Sequence, residues 1–132
     1  MPLEGLFHAK DPAVFLQGKK DQWHWTIMIL QPRGVTAKRV AAAREDLMRK
    51  RKLSTLPEVR LQRFAEGLCV QVLHIGPYAA ERPTIEALHA FMRENGYTFA
   101  GAHHEIYISD PNRTDPSRMK TVIRQPVRKL PA

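Results

Sequence analysis

Two stretches of this chain share the same order of a strand, a Pro- and Gly-containing elbow and a helix. They are "ILQPRGVTAKRV", which begins at residue 29, and "LHIGPYAAERPT", which begins at residue 73. Self-similarity of this kind, at a period of about 45 residues, indicates a duplicated unit. Because 132 residues suit one domain, the pattern predicts a single α+β domain built from two related units.

The first unit is predicted to be strand, helix, strand. Residues 22–32, "QWHWTIMILQP", are rich in aromatic and β-branched residues and stop at a proline. A helix is predicted over 36–52, with Thr36 as N-cap and a cationic last turn that suits the helix dipole. A further strand is predicted at about 59–65.

The second unit is predicted to be strand, helix, strand, strand. Residues 68–75 are almost continuously apolar, which is typical of a central, covered strand. A helix is predicted over 82–96, with four residues on its buried side: Ile85, Leu88, His89 and Met92. A strand follows at 103–109, and Pro126 predicts that the last short strand, 119–127, lies at an edge or a terminus.

The strand predicted at 103–109 carries a row of polar groups. Alternation places His103, Glu105, Tyr107 and Ser109 on one face, and His104, Ile106 and Ile108 on the other. Two interpretations are open. The row is either the solvent side of a sheet, with Glu105 paired to Arg113 or Arg124, or the floor of a pocket. In a pocket, Glu105 would act as a general base or as the counter-charge of a cationic ligand.

Three aromatic residues are candidates for the walls of such a pocket. Trp23 and Trp25 share a strand face, where they form either a pocket wall or part of the core. Tyr78 follows "HIGP" at a strand-to-helix elbow, from which a phenol can point into a cleft. Either Glu81 or Arg82, just beyond it, is interpreted as a helix-capping residue.

Several kinds of chemistry find no support in the sequence. His103 and His104 are neighbours on a strand, so they point to opposite faces and cannot share one metal ion. There is no Gly-rich nucleotide loop, Ser109 lacks the elbow of a hydrolase nucleophile, and Cys69 has no evident base. The sequence therefore predicts no metal, no cofactor and no covalent nucleophile, with Cys69 an inert thiol of the core.

The composition limits the partners and the location. The net charge is +8, concentrated in residues 49–52 and 118–129, but no nucleic-acid motif accompanies it. Solvated surface charge explains these clusters, and only weak, salt-sensitive binding to polyanions is expected. No apolar run approaches the roughly 20 residues that span a membrane, and no signal peptide is evident. A cytoplasmic location is predicted.

Several segments together resemble one known family. They are "LEGLF" (3–7), "WHWTIMILQP" (23–32), "VRLQRFAEG" (59–67), "VQVLHIGPY" (70–78), "HHEIYISDP" (103–111) and "KTVIRQPV" (120–127). These segments are similar to the GyrI-like small-molecule-binding domains, in particular the stand-alone subgroup that includes cyclopropanoid cyclopropyl hydrolases. The resemblance extends over nearly the whole chain.

The resemblance implies a fold and a ligand site. Duplicated β-α-β-β units would form a curved antiparallel sheet with the two helices on one face, its outer side. Residues 1–67 would be a partial first repeat, 68–127 the second repeat and 128–132 a tail. The cleft at the seam would bind flat hydrophobic or cationic compounds. Its floor would be Glu105, and its walls would be Trp23, Trp25, Tyr78 and Tyr107.

The hydrolase subgroup further implies a reaction. Its substrates resemble DNA-alkylating compounds with a cyclopropane fused to a dienone, and their hydrolysis is a detoxification. Glu105 would direct water to the ring methylene, while Tyr78 or Tyr107 would donate a hydrogen bond to the dienone oxygen. Two alternatives stay open. One is a binding module without turnover, and the other is a basic protein that contacts nucleic acid or gyrase.

The sequence departs from the family pattern at its start. Family members carry a further strand and helix before the segment that matches Leu3, so the first unit is expected to lack them. The open sheet edge that results would favour a homodimer. Phe7 also stands where the related pattern has tryptophan, which changes the wall of the cleft.

Overall fold

The computed structural model describes residues 1–8, 24–52, 54, 56 and 58–131 of the chain. It contains six strands: β1 (Leu3–His8), β2 (His24–Ile29), β3 (Cys69–Ile75), β4 (Tyr97–Phe99), β5 (His103–Tyr107) and β6 (Lys120–Lys129). The two helices are α1 (Ala37–Arg51) and α2 (Arg82–Glu94). The chain is therefore an α+β protein with an open, curved antiparallel sheet, as predicted. No helix in these residues is long and apolar enough to cross a membrane.

Residues 30–65 form a compact unit that contains α1. Thr36 caps the helix as predicted, because its hydroxyl accepts a hydrogen bond from the Arg39 amide at 3.3 Å. Lys52 ends the helix in the left-handed conformation. The strand predicted at 59–65 is wrong, since residues 58–67 have no regular secondary structure. A strand requires a partner for its backbone groups, and no strand pairs with this segment in the described part of the chain.

The sheet belongs to the other unit, which comprises residues 1–29 and 66–132. Its strand order is β2-β1-β5-β6-β3, with β4 pairing the far end of β6. Two predictions about this order are wrong. The apolar strand β3 lies at an edge, where Leu73 and Ile75 are exposed on the face away from α2. The strand with the proline, β6, lies between β5 and β3.

A proline is tolerated in the central strand β6 because Pro126 lies where one side of the strand changes its partner from β5 to β4. β6 pairs with β5 as far as Arg124, and with β4 from Val127 onward. Pro126 lies between these two segments, so its missing N–H interrupts neither ladder. Its carbonyl still accepts a hydrogen bond from the Ala100 amide at 3.0 Å.

The helix α2 packs on the sheet through the face predicted from its periodicity. Its buried residues are Ile85, Leu88, His89 and Met92. Ile85, Leu88 and Met92 form the core cluster with Ile123 and Val127 of β6. Ile123 stands directly opposite Glu105, so the two side chains share a face. The resemblance implied helices on the outer side, away from the cleft. Instead, α2 covers the face that carries the polar row.

The opposite face of the sheet holds a buried polar network centred on His104, which is 1% exposed. Its Nδ1 lies 2.9 Å from both carboxylate oxygens of Glu66, and its Nε2 lies 2.9 Å from Oε2 of Glu4. Arg124 also donates to Glu66, at 3.1 Å. Carboxylates only accept hydrogen bonds, so the imidazole donates from each nitrogen that carries a proton. The network connects β1, β5 and β6 behind the polar row.

Replacing His104 by alanine should cost about 3 kcal/mol of unfolding free energy, because two largely buried carboxylates then lose a partner. Urea denaturation of the whole chain measures this loss. Gln71→Ala is the matched control, because Gln71 is an exposed neighbour of the network whose side chain accepts a hydrogen bond from Arg124. It should cost less than about 1 kcal/mol. Equal losses in the two variants would contradict a central role for His104.

Candidate functional site

The polar row of β5 lies on one face, as the alternation predicts. The carboxylate of Glu105 accepts two hydrogen bonds within this row. His103 donates from Nε2 to Oε1 at 3.0 Å, and Tyr107 donates its hydroxyl proton to Oε2 at 2.8 Å. The side chain of His103 is 4% exposed and that of Glu105 is 13% exposed. Glu105 is therefore held in one orientation by two neighbours of its own strand.

This arrangement decides between the two interpretations of the row. The surface interpretation paired Glu105 with Arg113 or Arg124. Arg124 instead binds Glu66 and Gln71 on the other face of the sheet. Glu105 lines a cavity of 1210 Å³, so the row forms part of a pocket and not the solvent side of the sheet.

The cavity is bounded by two sides of different character. On the sheet side, apolar and aromatic residues of β1 and β2 surround the polar row: Leu3, Phe7, Trp25 and Ile27. On the helix side, residues around the start of α2 face it: Tyr78, Ala79, Glu81, Arg82 and Ile85. Residues 108–112 complete the rim. An apolar cavity with a few polar groups is the usual form of a small-molecule site.

The predicted wall residues meet different outcomes. Trp25, Tyr78 and Tyr107 all line the cavity with Glu105. Trp25 is 65% exposed, so it is a wall residue and not part of the core. Trp23 lies outside the described residues.

The two phenols of the cavity differ in how their hydroxyl groups are used. Their rings meet edge to face, with centroids 5.6 Å apart. The Tyr107 hydroxyl is engaged with Glu105, and burial, together with the negative charge of Glu105, raises the pKa of this phenol. Burial and the nearby carboxylates also raise the pKa of Tyr78. Both phenols therefore keep their protons at neutral pH. The hydroxyl proton of Tyr107 is used in the hydrogen bond to Glu105.

A second carboxyl group lies in the same cavity. Glu81 precedes α2, is 6% exposed and makes no capping hydrogen bond with its side chain. Burial, and then the charge of Glu105, raise its pKa to about 8 against the opposing effect of the Thr121 hydroxyl. Neither Glu81 Oε1 nor Thr121 Oγ1 has a hydrogen bond of normal geometry among the described residues. Glu81 is therefore a neutral acid near Glu105 at pH 7.

This geometry can be compared with known proteins. The sequence model of the GyrI-like small molecule binding domain matches residues 36–128, which is more than half of the chain. The chain belongs to the GyrI-like family. No match was found among curated protein sequences.

Several solved structures are similar to this GyrI-like domain. An uncharacterized conserved protein from Listeria innocua is 38% identical with a TM-score of 0.85, and covers 96% of this chain. A hydrolase from Listeria innocua is 36% identical with a TM-score of 0.77, and also covers 96%. The chain spans 63% and 62% of the length of these two proteins. EcmrR, solved in a complex with DNA, is 18% identical with a TM-score of 0.57 and shares the fold.

Sequence reasoning missed the position of Glu81 in the GyrI-like pocket, because a carboxylate just before a helix resembles a cap. A signal was available. Tyr78 begins a turn of 3₁₀ helix, Tyr78–Ala80, which Glu81 ends, and residues three apart along such a turn lie on the same side. Once Tyr78 is placed in the cleft, Glu81 is expected there too.

The described residues offer no evident metal centre. No group of three or more His, Cys, Asp or Glu side chains among them has the geometry to hold a metal ion. The polar groups that line this GyrI-like pocket include the hydrogen-bonded carboxylate of Glu105, the neutral carboxyl group of Glu81 and the Tyr78 phenol. Such a set can bind a neutral or cationic compound, and it can move protons.

Proposed function

We propose that this GyrI-like domain hydrolyses a strained cyclopropane ring in a flat, apolar compound of the cyclopropane-fused dienone class. The observation that carries the proposal is the pair of carboxyl groups in one cavity. Glu105 accepts two hydrogen bonds, while Glu81 holds a proton because burial and Glu105 raise its pKa to about 8. A carboxyl group that keeps its proton beside a second carboxyl group is typical of acid–base catalysis.

The reaction needs one base and one acid. Glu105 takes a proton from water as the water oxygen forms a bond to the ring methylene carbon. The carbon–carbon bond of the cyclopropane breaks, and its electron pair makes the dienone ring aromatic. The developing oxyanion receives the proton of Glu81. Transfer of a proton from Glu105 to Glu81 through solvent restores both groups, so the net change is the addition of one water.

The residues around the two acids have supporting roles. His103 and Tyr107 orient the Glu105 carboxylate. Tyr78 lines the cavity, and its hydroxyl can donate to the same oxyanion as Glu81. Trp25, Phe7 and Ile27 provide an apolar wall for a planar ligand. Positioning is the main contribution, because ring strain and aromatisation supply the driving force.

A direct test incubates the chain with a cyclopropane-fused dienone and follows the products by mass spectrometry. The expected result is a ring-opened alcohol that contains one added water and forms faster than in buffer. A product that forms at the buffer rate would overturn the proposal. Binding without product would favour the second candidate, a binding module in which Glu105 complements a cationic ligand.

Trp25→Ala should weaken the binding of a neutral planar aromatic probe by about tenfold, since it removes most of a stacking wall. Isothermal titration measures the dissociation constant. Leu73→Ala is the matched control, because Leu73 is an exposed apolar residue of β3 outside the cavity. Equal affinities in the Trp25 variant and the wild type would place the ligand elsewhere.

A further inference from the structure

Gly5 lies opposite the carboxylate of the proposed site. In the pairing of β1 with β5, Gly5 faces Glu105, Phe7 faces His103 and Leu3 faces Tyr107. Directly opposed residues of antiparallel strands have neighbouring side chains on the same face. The residue that faces Glu105 is thus the one residue of these three without a side chain.

The reason for glycine at this position is space and not backbone freedom. Gly5 is absent from the glycines with positive φ among the described residues, so an L-amino acid fits the backbone. A Cβ atom added to Gly5 would lie 2.9 Å from Cε2 and 3.0 Å from Cζ of Phe7, and 3.1 Å from the Tyr107 hydroxyl oxygen. These distances are shorter than normal contacts, so at least one of the two rings would have to move.

The rings of Phe7 and Tyr107 are both connected with the hydrogen bonds that orient Glu105. The Tyr107 hydroxyl that would meet the added Cβ is the same group that donates to Glu105 Oε2 at 2.8 Å. The Phe7 ring lies beside His103, with ring centroids 6.1 Å apart, and His103 donates to Oε1. The two donors that orient Glu105 therefore depend on groups that occupy the space above Gly5.

We propose that Gly5 is a positioning residue for Glu105, because its missing side chain provides the space in which Phe7 and the Tyr107 hydroxyl lie. The inference rests on the proposed function for its effect on turnover. Its structural part concerns the hydrogen bond between Tyr107 and Glu105 and stands without any substrate. Gly5 itself touches no ligand in this mechanism.

The test compares Gly5→Ala with Gly101→Ala. Gly101 is a matched control, because an added Cβ there would lie 3.1 Å from two carbon atoms of Pro126, away from the cavity. Thermal unfolding should show losses of similar size. Gly5→Ala alone should lower kcat for ring opening by about tenfold or more, since small displacements of a catalytic group are costly. Equal kcat values in the two variants would overturn the inference.

A readout without substrate separates this inference from the proposed function. Alkaline titration of tyrosinate absorbance reports the phenols, and Tyr107→Phe identifies the contribution of Tyr107. The Tyr107 phenol should begin to ionise at lower pH in Gly5→Ala than in the wild type, because its hydrogen bond to Glu105 is disturbed. An unchanged Tyr107 titration would overturn the positioning role. A changed titration in a chain without turnover would support it and overturn only the proposed function.

The double variant Gly5→Ala/Tyr107→Phe tests whether the phenol hydroxyl is the group that needs the space. If it is, Gly5→Ala should reduce kcat by less than about threefold when Tyr107 is already phenylalanine, because coupled residues are not additive. A tenfold loss in both backgrounds would contradict the role of the hydroxyl and assign the effect to other contacts.

Discussion

Glu105→Gln should lower kcat for ring opening by about 10²–10⁴-fold, which is the usual contribution of a general base. The amide has nearly the shape of the carboxylate, and it can still accept at one position from His103 or Tyr107, which hold Glu105 at 3.0 and 2.8 Å. The fold and the affinity for a neutral planar ligand should therefore be retained. Single-turnover kinetics with a cyclopropane-fused dienone measure the chemical step.

Glu94→Gln provides the control for this variant. Glu94 is an exposed carboxylate at the end of α2, outside the cavity, so its replacement makes the same change in charge without touching the site. Its kcat should equal that of the wild type. If Glu105→Gln retained more than about a tenth of the wild-type rate, Glu105 would not be the base. Loss of affinity for a cationic probe alone would instead support the role of counter-charge.

The face of the polar row was predictable, and its environment was not. Alternation along β5 assigns His103, Glu105 and Tyr107 to one face, because the period of a strand is two. Whether that face meets solvent depends on which element packs above it. α2 provides that cover, through a core that includes Ile123. A single sequence does not contain this long-range information, so both interpretations stayed open until the fold was known.

The order of the strands was the least predictable part of the fold. An apolar run such as β3 suggests a central strand, but one covered face is enough to retain apolar residues, and its other face exposes Leu73 and Ile75. β1 was not predicted, although its pairing places Gly5 opposite Glu105. Pairing between strands about 100 residues apart in sequence depends on how the whole sheet assembles. Local strand propensity gives little information about it.

The strongest pH dependence should come from Glu81. Its pKa is raised to about 8, so the carboxyl group carries its proton below that pH and loses it above. If this proton is delivered to the substrate, kcat should fall as pH rises through about 8, approaching tenfold per pH unit. The phenols of Tyr78 and Tyr107 and the thiol of Cys69 all have raised pKa values, so their ionisation lies at higher pH.

Glu81→Gln should remove this alkaline decline and leave a rate that is lower by about 10²-fold and nearly independent of pH in that range. An amide cannot deliver the proton, and it has no titration of its own. Rates measured from pH 6 to about 9.5 in the wild type and the variant separate the two profiles. An alkaline decline that persists in Glu81→Gln would assign it to another group.

The same protonation also predicts a change in stability that requires no substrate. Glu81 has a native pKa of about 8 and an ordinary value of 4.5 in the unfolded chain. Between these values the native state holds a proton that the unfolded state releases, so the unfolding free energy falls as pH rises through this window. The loss is on the order of 3 kcal/mol by pH 8, at 1.36 kcal/mol per pH unit.

Glu81→Gln has no such proton to lose, so its stability relative to the wild type should increase from pH 5 to pH 8. Urea unfolding at the two pH values measures the difference. If the relative stabilities were the same at both values, Glu81 would be an ordinary ionised carboxylate at neutral pH, and a separate source of the proton would be required for the ring-opening step.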